Sequence, residues 1–426
     1  MRIGMTISPH NGHTNPMLAL ARALQARGHD VVVVAVADIE AACLAAGVDF
    51  IAFGRESHPA GWIAAHDAEI ARLGGHAAGQ YLWTTLMPSM LDAALNELPH
   101  IMRQAGFDAM VIDKATGYFE LAPLLLGVPY VHVWNSAHLD CTGQSPSPAS
   151  TAAYDSSPGQ RAQNRVAFLK TAANITPPKQ RAMAFAAAHG LTIDWADPAA
   201  THSHLAELTQ MPQVFDFPLR YLPAHFYYSA PFINPENRQP VAFPWDQLNG
   251  KRIIYASLGT VVNDHPAIYA AIFAAAAQLP DTQLVLACGC FCNPDHLGPP
   301  PPGAIIVRYA PQLDLLRRAS LCITHAGHNT TLEALSCGVP LVAIPLAFDQ
   351  PGLAARIAHH GVGSFITPAA LTPELLLEHL RRVLNDPAYM ARAQQLRAEL
   401  ARLNGPAMAA AVIEQACETA LLAGEA

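Results

Sequence analysis

The chain of 426 residues is short of positive charge: lysine stands only at positions 114, 170, 179 and 251, and the net charge is −8. Without a basic tract there is no electrostatic footprint for nucleic acid. Long apolar runs are missing too. The best candidates, near Ala267–Ala277 and Leu121–Trp134, are interrupted before reaching the ~18 residues that a membrane span requires. Eight cysteines occur, but not in the short, even framework of a secreted disulfide scaffold, and the start MRIGMTISPH is a strand rather than a signal peptide. A cytoplasmic protein with reduced thiols is therefore expected. The cluster Cys288-Gly-Cys290-Phe-Cys292 follows an apolar strand and lacks a second ligand pair at zinc-site spacing, so no metal is expected there. No G-x-G-x-x-G follows the first strand, which argues against a dinucleotide cofactor. No D-x-D triplet occurs either, so the paired carboxylates that would hold a divalent metal on a diphosphate are absent.

Half of the chain, 51%, is hydrophobic, enough for two cores at this length. Arg2–Ile7 is an apolar strand, Ser8–Asn15 a loop of turn formers, and Met17–Ala26 an amphipathic helix closed by Gly28. With the buried strand Val31–Val36 this makes a βαβ unit. Asp108 reads as a strand terminator, Ala109–Ile112 is a further strand ending in Asp113, and Val131–Trp134 is the next. From His138 to Tyr221 the alternation disappears. Ser145–Gly159 is a loop by composition, and Arg161–Gly190 and Thr201–Thr209 carry helical patterns. Trp62, Tyr81, Trp83, Met183, Phe185, Trp195, Phe215 and Phe217 supply aromatic and soft surface, shared between core and a pocket. The Pro- and Asn-rich stretch Ser229–Gly250 marks a domain boundary. Arg252–Ala256, Gln283–Ala287, Ala304–Val307, Leu321–Thr324 and Leu341–Ile344 then build a second α/β half, followed by two helical runs separated by Asn404-Gly405-Pro406.

The densest chemistry lies in Tyr309–Gln350, YAPQLDLLRRASLCITHAGHNTTLEALSCGVPLVAIPLAFDQ. A strand ends at His325, Ala326-Gly327 allows a tight turn, Asn329 or Thr330 caps, and a helix begins at about Thr331. Backbone N–H groups and the positive helix end then meet at one point, where phosphate oxygens are favoured. Glu333 lies near the first turn, within reach of a ribose diol, and Asp349-Gln350 follows the next strand. Ser257-Leu-Gly259-Thr260 at another strand end makes a second backbone cradle.

The pattern H-x-G-x-N-T-x-x-E…G-V-P…P…D-Q, preceded by A-P-Q, resembles the nucleotide-sugar signature of the UDP-glycosyltransferases, an inverting family with the GT-B fold. Its form here, and FPW before LNGKRIIYASLGT, is most similar to the bacterial carotenoid glucosyltransferase group. The resemblance implies two Rossmann-like β/α/β domains facing each other across a cleft. Residues 1–225 would bind the acceptor, with an insertion at about 138–221. Residues 226–250 would link the domains and 251–405 bind the donor, and 406–426 would form a helix packing back on the first domain. It implies base stacking by Tyr309 and base or ribose contact by Gln312. It further implies diphosphate contact by Ser257, Gly259, Thr260, His325, Gly327, Asn329 and Thr330, ribose contact by Glu333, and sugar contact by Asp349 and Gln350. Many members carry Trp at the positions of Tyr309 and His328, which leaves uracil against thymine, and the sugar, open.

The same resemblance puts the catalytic base at His13 and its partner at Asp113. Chemistry supports a histidine at a strand's carboxyl end as a base near neutrality, and an Asp beside it would fix the tautomer; His10 is the rival, separated only by the alignment. The expected reaction is inverting transfer of a sugar, glucose by resemblance, from a UDP-sugar to a hydroxyl of a small lipophilic acceptor such as a carotenoid, phenol or polyketide, with no cofactor and no metal. A nucleotide-sugar hydrolase or epimerase, and a non-catalytic sugar-nucleotide binding protein, are the alternatives. Peripheral membrane contact stays open for a carotenoid-like acceptor, although no basic amphipathic helix announces it in the sequence.

Overall fold

A computed structural model describes residues 1–173, 176–235, 238 and 240–424. Asn174 and Ile175 of the predicted helical run Arg161–Gly190, Glu236, Asn237 and Gln239 of the predicted linker, and Glu425 and Ala426 of the predicted C-terminal helix lie outside the described residues.

Two all-parallel sheets organise the chain. The first contains β1 (Arg2–Thr6), β2 (Asp30–Ala35), β3 (Asp49–Ala52), β4 (Ala109–Asp113), β5 (Tyr130–Trp134), β6 (Glu207–Thr209) and β7 (Phe226–Tyr228), in the order β3-β2-β1-β4-β5-β6-β7. The second contains β8 (Arg252–Ser257), β9 (Thr282–Ala287), β10 (Ile305–Val307), β11 (Ala319–Thr324), β12 (Leu341–Ala343) and β13 (Gly363–Phe365), in the order β10-β9-β8-β11-β12-β13. Near-continuous Val, Ile and Ala runs suit parallel strands covered on both faces. Because side chains alternate across a strand, Val31 and Val33 pack beneath the helices Asn11–Gln25 and Gly405–Ala423, while Val32 and Val34 face Met90, Leu91 and Leu98 of the helix Met87–Ala105.

The helix Gly405–Ala423 belongs to the first sheet's layer although it follows the second sheet in sequence. Its N-terminus lies against the main chain at residue 230: a Cβ on Gly405 would stand 2.1 Å from the Ala230 carbonyl oxygen, so only glycine fits. Ile413 and Cys417 join the same core as Ile3 and Met17, and Glu414 pairs with Arg27.

Strand order reverses between β1 and β4 and again between β8 and β11. Such reversals open a crevice at the carboxyl ends of the strands, where ligands bind in sheets of this kind. The residues that follow β1, β4, β8 and β11 are the ones singled out above.

Three predicted boundaries move. The first helix starts at Asn11, not Met17, so His13 stands in its first turn rather than in a loop. The helix after β11 starts at His328 with Gly327 as its N-cap, so Asn329 and Thr330 are helical and do not cap. Thr201–Thr209 is no helix: it ends in β6, which pairs with β5 and β7. Its apolar spacing is too short to separate the two periods, and pairing with β5 decides. Among the described residues no helix is long and apolar enough to cross a membrane, and all eight cysteines are free thiols.

Candidate active site

At the end of β1 the helix start lifts His13 over the carboxyl end of β4. Its Nδ1 lies 2.9 Å from Oδ2 of Asp113, a fully buried carboxylate that also accepts the Ser8 N–H at 3.1 Å and, through Oδ1, the Ala115 N–H at 3.2 Å. With Nδ1–H committed to Asp113, Nε2 keeps its lone pair. Burial opposes protonation of His13, but the charge and hydrogen bond of Asp113, together with the charge of Asp349, raise its pKa above the ordinary histidine value. The arrangement is a strengthened base with a fixed tautomer. His10, the N-cap of the same helix, is engaged otherwise: its ring bridges Ser8 Oγ at 3.2 Å and Asp67 Oδ1 at 3.0 Å, so both nitrogens are occupied.

The second sheet's crevice is built around His325. A Cβ on Gly259 would lie 2.6 Å from its ring and one on Gly327 2.4 Å, so the imidazole is clasped between two glycines and neither position has room for a side chain. Gly259 also adopts φ +86°, and Ser257 Oγ accepts its N–H at 3.3 Å. Burial pushes the His325 pKa down to about 4 despite a hydrogen bond with the Ser257 main chain, which makes this imidazole neutral near pH 7. Its Nδ1 is buried without a partner. Beside it the helix His328–Cys337 opens, and the N–H groups of its first residues have no intrahelical acceptor. Ser257 and Thr260 complete the rim from the end of β8.

Further along, Gln312 donates from Nε2 to Glu333 Oε2 at 2.7 Å and to Thr330 Oγ1 at 3.4 Å, and its Oε1 accepts the Tyr255 hydroxyl at 3.0 Å. Tyr309 is 48% exposed. Glu333 is buried and carries a partner that sequence reasoning missed, the Arg238 guanidinium from the inter-sheet segment. Gln350 turns its Oε1 to the N–H groups of Leu346 and Ala347, at 2.7 and 2.8 Å, and holds that loop.

The two crevices face each other. Asn329 donates to the Gly12 carbonyl at 2.6 Å and accepts from Gln210 at 3.0 Å, while Asp349 Oδ2 accepts the Ala137 N–H at 2.9 Å. Beneath them Arg356 meets Asp216 at 2.7 Å, with Tyr228 donating to the same carboxylate and Phe217 stacked on the guanidinium. Removing one partner of such a buried pair costs about 3–5 kcal/mol, so the pair ties the halves together. His328, His138 and Arg356 crowd the same place. Both ring nitrogens of His328 and of His138 are buried without a hydrogen-bond partner, His138 Nδ1 lying 3.8 Å from Asp216 Oδ2, and burial, then the charges of Arg356 and His13, push the His328 pKa down to about 3. Arg356 lies beyond the end of the signature at Gln350, and Arg238 gives no signal in a Pro- and Asn-rich stretch. These residues gain meaning only from the facing surface.

The model of the family described as UDP-glucoronosyl and UDP-glucosyl transferase matches residues 93–399. Zeaxanthin glucosyltransferase of Pantoea ananas is 28% identical over 96% of this chain and 94% of its own length. Demethyllactenocin mycarosyltransferase of Streptomyces fradiae is 28% identical over 97% of this chain and 86% of its own. Among solved structures, the glycotransferase of kitacinnamycin superposes with a TM-score of 0.73 at 24% identity, covering 97% of this chain and 98% of that one. A calicheamicin glycosyltransferase does so at 0.72 and 22%, covering 98% and 99%. Two facing parallel sheets, a family model spanning most of the chain and full-length likeness to glycosyltransferases agree: the chain belongs to the UDP-glucoronosyl and UDP-glucosyl transferase family and has the GT-B fold.

Proposed function

We propose that this glycosyltransferase moves a sugar, glucose in the first instance, from a UDP-sugar to a hydroxyl of a small lipophilic acceptor, with inversion. The observation that carries the reading is the His13–Asp113 pair opposite the helix start at His328. His13 Nε2 takes the hydroxyl proton, and Asp113 orients the ring and stabilises the imidazolium. The acceptor oxygen attacks the anomeric carbon as its bond to the β-phosphate breaks. Charge growing on the leaving diphosphate is met by the N–H groups at the helix start, by neutral His325, and by Ser257, Gly259 and Thr260. Tyr309, Gln312 and Glu333 hold the nucleoside, and Asp349 and Gln350 the sugar. Glu333 exchanges Arg238 for the ribose diol. Residues 1–225 act as the acceptor domain, 226–250 as linker, and 251–405 as the donor domain, with 406–426 returning to the first.

The test is the unfolding midpoint with UDP, UDP-glucose, dTDP-glucose and no ligand, since binding to the native state raises it by mass action. A rise with UDP or UDP-glucose supports the donor reading; a rise with dTDP-glucose alone moves the donor to thymidine sugars. No rise with any of them sinks it. Transfer retained in EDTA separates this metal-free scheme from one that needs a divalent cation.

A further inference from the structure

The helix Pro158–Ala173 stands on the surface of the 138–221 insertion, and its exposed residues include a short apolar stripe among polar and basic ones. Val166 is 54% exposed and Leu169 62%. At 100° per residue, Ala162, Val166 and Leu169 lie within one narrow stripe, with Arg165 on one side of it and Lys170 on the other. The rotation that exposes this stripe is fixed from below. Asn164, on the opposite side, is buried and donates to the Gly143 carbonyl at 3.1 Å, and Gln160 reaches its Oδ1 at 3.0 Å. Gly143 has no room for a side chain there, since a Cβ would lie 2.5 Å from the Arg161 carbonyl oxygen.

Charge sets this face apart from the rest of the molecule. Between Asp155 and Asp194 there is no acidic residue, although the chain as a whole has net charge −8, and the segment carries Arg161, Arg165, Lys170, Lys179 and Arg181. Arg161, Arg165 and Lys170 make no ion pair with a described residue. Arg161 lies over the ring of Tyr221, 5.7 Å from its centroid, and Tyr221 is itself 64% exposed. An outward apolar stripe flanked by long cations whose stems can lie along it, with an exposed tyrosine beside it, is the pattern of a helix lying in a lipid headgroup layer. A second copy of this chain is a poorer occupant, because the same cations would face each other across a two-fold axis.

We propose that the helix Pro158–Ala173 docks the enzyme on an anionic membrane surface, with Val166 and Leu169 entering the acyl boundary and Arg161, Arg165 and Lys170 meeting lipid phosphates. The inference stands beside the proposed transfer, not on it, and its test contains neither donor nor acceptor. The full chain is co-sedimented with vesicles of phosphatidylcholine alone and of phosphatidylcholine mixed with phosphatidylglycerol, at low and high salt. Binding is expected to the mixed vesicles only and to weaken with salt. Arg165→Glu with Lys170→Glu should lower the partition coefficient about tenfold or more, and Val166→Ser with Leu169→Ser should lower it severalfold. These positions are solvent-exposed, and an unchanged unfolding midpoint verifies that each variant is folded. No binding of the parent protein to mixed vesicles overturns the proposal, as does binding that all four substitutions leave unchanged. Concentration-dependent self-association that Leu169→Glu abolishes would assign the face to a second copy instead.

Discussion

His13 and His325 each follow a strand that borders the order reversal of its sheet, β1 in the first and β11 in the second, and each faces the same cleft. Their chemistry is opposite. His13 has a buried carboxylate at 2.9 Å and a second near it, and its pKa is raised. His325 has two glycines against its ring and no carboxylate, and burial pushes its pKa down to about 4. Two crevices of the same kind therefore hold histidines of opposite character, and the difference is made by the neighbours, a buried carboxylate from β4 in one and two glycines in the other. The separation suits the roles proposed for the two rings, because a base must titrate near working pH while a phosphate contact should not.

The comparison breaks first at His13. His13→Ala should lower kcat about 100- to 10,000-fold, with the UDP-glucose-induced rise in unfolding midpoint retained; full activity would assign the base elsewhere, His10 being the first candidate. Asp113→Asn comes next. The wild-type kcat/KM should fall as pH drops through the raised His13 value, above the ordinary 6.5, because the protonated ring accepts nothing. Without the carboxylate the acid limb should move to lower pH as the tautomer is lost, with kcat down about 100-fold or more. An unmoved limb would remove Asp113 from the dyad. Gly327→Ala should be milder: the added methyl meets the His325 ring, an overpacking cost of about 1–3 kcal/mol, so UDP-glucose affinity should weaken about tenfold while the acid limb stays put. The smallest effect is none at all. In the His13→Ala variant, which removes the other titrating imidazole of the cleft, the affinity for UDP-glucose should be flat between pH 5.5 and 8, since His325 is already neutral there; a steep loss of affinity with rising pH would show that this ring binds as a cation.

Much of this was legible in the sequence. Val31–Val36 and Ala109–Asp113 are apolar enough to be buried parallel strands in any context, and the H-x-G-x-N-T-x-x-E spacing carries its backbone geometry with it, because the glycines and the strand-to-helix turn are local. The helix boundaries at Asn11 and His328 were missed because both starts lack a side-chain cap: His10 and Gly327 are the N-caps and make no cap hydrogen bond. Thr201–Thr209 was misjudged because a three-residue strand exists only through its neighbours β5 and β7.

The sequence by itself determined two α/β halves and named the candidate cradle residues and the pair of candidate bases, since each depends on contacts a few residues apart. Only the tertiary structure decided which histidine meets Asp113, that Arg238 sits on Glu333, that Asn329 and Asp349 bridge the halves, and that Val166 and Leu169 face outward. Those choices depend on groups tens to hundreds of residues away, whose distance, burial and charge no local pattern encodes.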